Sequence, residues 1–158
     1  MTTQPVWFDL ARHALHEAVL QDYDHAATTV THLADEHGHE VIVDVMCAWM
    51  DAVATFCNLR QTGHLVGVLW VDETNGDILT ADQVEPADRW AGRLFASHLS
   101  LDSALFDGLL DSVVSSGQWS AGVAALLRIC ATELRIRGYR PPTYHQPAAA
   151  AAAKGEKR

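Results

Sequence analysis

Apolar residues recur every three to four positions through most of the chain, the period of helices with one buried face. Trp7, Phe8, Leu10, Ala11, Ala14, Leu15, Ala18 and Val19 predict a first helix over about residues 6–21, with Pro5 where a first turn tolerates it. The Asp22-Tyr23-Asp24 step offers an aspartate N-cap for a second helix carrying Ala26, Ala27, Val30, Leu33 and Ala34, and Gly38 supplies its stop. From His39 to about Arg60 the chain is most apolar, through Val41, Ile42, Val45, Met46, Trp49, Ala52, Val53 and Phe56. Only Asp44 and Asp51 break that stretch, so this helix belongs in the centre.

Past Gly63 the texture changes to a β-rich run, Leu65-Val66-Gly67-Val68-Leu69-Trp70-Val71, then Asn75-Gly76, then Asp77-Ile78-Leu79-Thr80. Asn-Gly between two such runs predicts a hairpin with a two-residue type I′ turn. That turn sets Thr74 opposite Asp77, Glu73 opposite Ile78, Asp72 opposite Leu79, Val71 opposite Thr80 and Trp70 opposite Ala81. Pro86 closes the insert. Trp90, Leu94, Phe95 and Leu99 make a fourth helix. A fifth, capped by Asp102 or Ser103, carries Leu105, Phe106, Leu109, Leu110, Val113 and Val114 to a stop at Gly117. A sixth runs from about Ser120 to Arg137, with Val123, Ala124, Leu126, Leu127 and Cys130 inward and Gly138 as its stop.

A shift of 80 residues lays Leu10 on Trp90, Ala14 on Leu94, Leu15 on Phe95, Val19 on Leu99, Leu33 on Val113, Met46 on Leu126 and Met50 on Cys130. Asp22 falls on Asp102, cap on cap, whereas Gly38 and Gly117 are one residue out of register. Any two amphipathic three-helix runs match at some shift; the alternative is a pair of related halves that stack to bury faces neither covers alone. The expected fold is therefore mainly α. Six helices form two stacked three-helix halves, residues 6–62 and 87–138, with a β-hairpin over 64–81 between them. One domain over residues 1–140 precedes a flexible Pro/Ala/basic tail over 141–158.

A length of 158 residues suits that single domain, and 49% apolar with 20% charged residues excludes wholesale disorder. No apolar run approaches the ~18 residues of a membrane helix, and no signal segment opens the chain, which predicts a soluble, cytoplasmic protein without membrane partners. The net charge of −9 is divided unevenly: residues 1–127 carry −14 and residues 128–158 carry +5. An acidic body repels a phosphate backbone. Nucleic acid is thus expected only at the basic end, where Arg128 and Arg135 share a helix face and Arg137 and Arg140 follow, with Lys154, Lys157 and Arg158 beyond. Helix-dipole compensation accounts for the same arginines without a ligand. Cys47, Cys57 and Cys130 read as buried free thiols in a reducing compartment.

The stretch from Trp70-Val71-Asp72-Glu73-Thr74-Asn75-Gly76 through Ala87-Asp88-Arg89-Trp90-Ala91-Gly92-Arg93-Leu94 to Phe106-Asp107-Gly108-Leu109-Leu110 resembles a pattern in uncharacterised small helical proteins of actinobacteria and their phages. The likeness covers about a third of the chain, and nine Arg against two Lys suit a high-GC genome. It implies a source and a helical architecture, and neither an activity nor site residues.

Nine histidines invite a metal test, above all His32, His37 and His39 with Asp35, Glu36 and Glu40. Their spacing lacks the convergent His pairs of a zinc or iron site, so no metal and no cofactor are expected. Asp44 and Asp51, seven apart, share a helix face that reads as the wet side of the third helix; with Asp111 they are also the candidates for a carboxylate pair. No nucleophile signature and no phosphate loop occur, so catalytic residues are not assigned. The hairpin is apolar on both faces, with Val66, Val68 and Trp70 one way and Leu65, Leu69 and Val71 the other. Helices cover one face, which leaves Trp70, Val66, Val68 and Ile78 as candidate partner-binding residues and Trp70 as anchor of a homodimer. The expected function is a non-catalytic intracellular protein-interaction or adaptor module from a high-GC bacterium, its mobile elements or phage. The alternatives are a regulator or anti-host factor acting on a nucleic-acid-binding protein through the acidic surface, and a His-dependent metalloenzyme.

Overall fold

The computed structural model describes residues 4–59, 64 and 66–142. The helices are α1 (Val6–Val19), α2 (Tyr23–His37), α3 (His39–Phe56), α4 (Pro86–Leu99), α5 (Ser103–Ser115) and α6 (Trp119–Ile136). Between α3 and α4 lie β1 (Trp70–Val71), β2 (Ile78–Leu79) and a short 3-10 turn over Ala81–Gln83. The Pro/Ala/basic tail expected beyond residue 142 and the hairpin's Leu65 lie outside the described residues.

Helix boundaries repeat with a period of eighty positions: Val6 and Pro86, Val19 and Leu99, Tyr23 and Ser103, His39 and Trp119, Phe56 and Ile136. The turns repeat as well. Gln21 (φ 66°) and Leu101 (φ 57°) both take left-handed backbone, and each is followed by an aspartate N-cap. Asp22 accepts the His25 N–H at 3.3 Å, and Asp102 accepts the Leu105 N–H at 3.0 Å. Asn58 and Gly138 end α3 and α6 in the same left-handed way. The slip sits where Gly38 and Gly117 stop α2 and α5, because α5 is shorter.

One continuous core joins all six helices. The halves meet through α1 on α6, α3 on α6 and α3 on α4. Exchanging the halves turns the first contact into the third and returns the second to itself, the relation of an approximate two-fold axis. Trp49, buried in α3, donates its indole N–H to the Ala11 carbonyl of α1 at 2.8 Å. In the other half Trp90 of α4 donates to the Leu109 carbonyl of α5 at 2.8 Å. Each ring thereby buries a large apolar surface without stranding its donor.

The hairpin departs from the expected register by two residues, since Trp70 pairs with Leu79 and Val71 with Ile78. Asn75-Gly76 does not form a two-residue turn. The Asp72 N–H donates to the Asp77 carbonyl and the Gly76 N–H to the Asp72 carbonyl, both at 2.8 Å, which closes a longer loop. The Asp72 carboxylate accepts the Thr74 N–H at 2.7 Å, and Asn75 Oδ1 accepts the Asp77 N–H at 2.9 Å. Only Gly76 (φ 77°) then needs left-handed backbone, so Asn75 is spared the positive φ of a type I′ turn. The ladder is correspondingly short, and residues 66–69 run as irregular chain rather than strand.

Candidate functional site

The hairpin is a ribbon laid on α4. Gly92 lets it approach: a Cβ there would come within 2.5 Å of Trp70 Cζ2 and 3.2 Å of Val68 Cγ1. The Val66 side chain packs on the core, and its N–H donates to Ser100 Oγ, 2.9 Å away at the end of α4. Trp70, Val66 and Val68 therefore turn toward the protein, and Trp70 is not the outward anchor that the sequence suggests. Of the four candidate partner residues, Val68 stays 40% exposed although it reaches α4, and Ile78 lies on the outward face. It is 68% exposed there beside its cross-strand partner Val71 (48%) and Leu69 (68%). No other strand joins β1 and β2 among the described residues.

The four candidate arginines do not form one patch. Arg128 pairs with Asp88 across α6 and α4. Arg135 donates to Thr132 Oγ1 of its own helix at 3.3 Å. Arg137 and Arg140 are exposed past the end of α6, where Arg140 donates to the Tyr139 carbonyl at 3.3 Å.

The histidines pair with local carboxylates. His13 meets Glu17 at 3.0 Å and His32 meets Glu36 at 3.4 Å along their helices. His25 meets Asp22 at 2.6 Å; this hydrogen bond raises the imidazole's pKa and lowers that of the carboxyl. His98 of α4 reaches Asp51 of α3 at 2.7 Å. Among the described residues no three His, Cys, Asp or Glu side chains converge on a point that could hold a metal ion. His16 is buried, with Nε2 2.8 Å from the Tyr139 hydroxyl. Burial, then Arg12 and His13, lowers its pKa, which favours the neutral imidazole beside that hydroxyl.

Sequence reasoning missed a groove between α1 and α3. Its mouth has a volume of about 600 Å³ and is lined by Trp7, Phe8, Cys47, Ala48, Ala52 and Phe56, with Asp44, Asp51 and Thr55 among them. Phe8, Ala48, Ala52 and Phe56 also wall an inner cavity of about 150 Å³ that reaches Leu15, Trp49, Leu134 and Tyr139. Tyr139 meets Phe56 edge-on with ring centroids 5.1 Å apart. Asp44 and Asp51 thus flank an apolar depression rather than a plain wet face. Ala48 and Ala52, one helical turn apart beside them, are the signal that the residues held.

All three cysteines are free thiols. Burial pushes the Cys47 thiol up to about 11, with Asp51 and Asp44 adding to the rise, and Cys130 in the core is raised further. Neither is an activated nucleophile. No helix of the described residues is long and apolar enough to cross a membrane. No protein-family model, curated protein or solved structure matches this chain.

Proposed function

We propose that the chain is a non-catalytic protein-interaction module of a high-GC bacterium or its phage, which works inside the cell and self-associates through its ribbon. The observation that carries this reading is the outward apolar face of Leu69, Val71 and Ile78. A two-fold axis facing the ribbon would set Val71 and Ile78 of one copy against the same residues of another. This contact comes without rearranging the helices. Three free thiols in a chain of this size suit a reducing compartment.

Light scattering at micromolar concentration tests the reading. The wild type should run at twice the chain mass, and the double variant Val71→Glu/Ile78→Glu at the chain mass with its cooperative melt retained, because both side chains are exposed. A monomeric wild type, or a dimer indifferent to the double substitution, would refute it.

A further inference from the structure

The α1–α3 groove has a counterpart eighty positions on, between α4 and α6, and the two are filled differently. In the second half the Arg128 side chain crosses from α6 to pair with Asp88 of α4, while Arg135 bonds Thr132. The matching positions in the first half are Ala48 for Arg128, Phe8 for Asp88, Ala52 for Thr132 and Thr55 for Arg135. Where one half carries a long cationic side chain and its carboxylate, the other carries a methyl group and an aromatic ring. The space so released is the groove itself, since Ala48 and Ala52 wall both its mouth and its inner cavity.

The walls define what fits. Trp7, Phe8 and Phe56 are aromatic, and ring faces attract cations. Asp44 and Asp51 supply negative charge at the mouth, within a body of residues 1–127 that carries −14. Of the two, Asp51 also meets His98 of α4 at 2.7 Å, and Arg12, at the inner cavity, is held by Asp9 at 3.0 Å. The field of the two carboxylates is felt at the groove wall, where both push the Cys47 thiol upward. The mouth, about 600 Å³, is shallow and open to solvent, and the inner space of about 150 Å³ has room for one ring or a short alkyl arm.

We propose that the α1–α3 groove binds a small organic cation with an apolar body, an aromatic or aliphatic ammonium or phosphonium, in the place that the Arg128 side chain fills in the other half. One aryl or alkyl arm enters between Leu15, Trp49 and Leu134, and the cationic centre stays at the mouth with Asp44 and Asp51. The site uses none of the ribbon, so it stands or falls independently of self-association.

The probe is tetraphenylphosphonium, with tetraphenylborate as a control of the same shape and opposite charge, each titrated calorimetrically into the full chain. Saturable binding of the phosphonium is expected, at least tenfold tighter than the borate. Asp44→Asn/Asp51→Asn should weaken it about tenfold, and Ala48→Arg, which rebuilds the filling of the other half, should abolish it. A second readout needs no substitution: bound phosphonium should slow N-ethylmaleimide labelling of Cys47 several-fold and leave Cys57 unchanged. No saturable binding, equal affinity for borate and phosphonium, or Cys47 labelling that the phosphonium does not slow would each overturn the proposal. So would undiminished binding to a folded Ala48→Arg variant.

Discussion

Gly122→Ala should destabilise the protein, although alanine is the better helix former. The residue sits inside α6, where the exchange favours the helix by about 1 kcal/mol. The new methyl would lie 2.8 Å from Trp90 Cζ3, 2.9 Å from Cε3 and 3.1 Å from Val113 Cγ2. Carbon atoms pack at roughly 3.5–4.0 Å, so the indole must retreat by close to 1 Å. It has little room to do so, because its N–H is bonded at 2.8 Å to the Leu109 carbonyl in a buried setting. Overpacking costs about 1–3 kcal/mol, and a buried donor pulled off its acceptor about 1–3 more. Against the propensity gain, the net loss is ~2 kcal/mol, a fall in melting temperature of roughly 4–8 °C for a domain of this size. Urea titration of Gly122→Ala, Trp90→Phe and the double variant would measure it. The smaller phenyl ring carries no donor, so the alanine should cost less in its presence, with a coupling of about 1 kcal/mol or more. A stabilised single variant, or strictly additive losses, would show that Trp90 does not pin α6 in the way described.

Two further outcomes follow from the turns and from His16. Asp102→Ala removes one N-cap bond and should cost ~1 kcal/mol, whereas Asp22→Ala removes the matching bond and the His25 side-chain contact and should cost more; the two losses should add in the double variant when compared by denaturant titration. His16 is buried with its pKa held below the ordinary 6.5, so between those two values the unfolded chain binds more protons than the folded one. Its contribution is complete above pH 6.5 and is lost as the pH falls through that window. Melting temperatures recorded from pH 5 to 7.5 should rise with pH, and His16→Asn should flatten that rise; an unchanged slope would remove His16 as its source.

Helix placement was legible because the signals are local: an aspartate before an apolar run, a stop residue after it, and a three-to-four-residue period between. The repeat of eighty was legible in the core pairs, and the structure adds the caps and left-handed turns. Hairpin register was not, because Asn75-Gly76 serves equally in a two-residue turn or at the end of a longer loop. The choice fell to Asp72, whose carboxylate binds the Thr74 N–H and opens the loop two residues earlier on the first strand, while Asp77 still begins the second. Trp70 could be placed on a ribbon face but not aimed, since its direction depends on the absence of a Cβ at Gly92, on a helix remote in contact terms until the fold is known. The groove escaped for a related reason. Two carboxylates seven apart make the pattern of a solvated helix face, and what lies between them depends on Trp7 and Phe8 of another helix.

The two halves differ where little in the backbone constrains them. Gln21 and Leu101 hold left-handed turns at a cost of roughly 1–2 kcal/mol each, and in both halves an aspartate cap follows at once to fix the next helix. Such positions set the path of the chain, and altering one would shift a whole helix. The outer faces carry no such constraint. On α4 the position of Gly92 is flat enough to take the ribbon, while its counterpart on α1 is Arg12, paired with Asp9. On α6 Arg128 bridges to Asp88, while its counterpart on α3 is Ala48, beside open space. One half has its outer face covered by the ribbon and its groove bridged by a salt bridge; in the other, neither is covered among the described residues. The candidate surfaces of this protein are therefore consequences of one scaffold used twice and finished in two ways: the ribbon turns an apolar face outward because α4 already holds its other side, and the groove stands open because α3 lacks the arginine that α6 supplies.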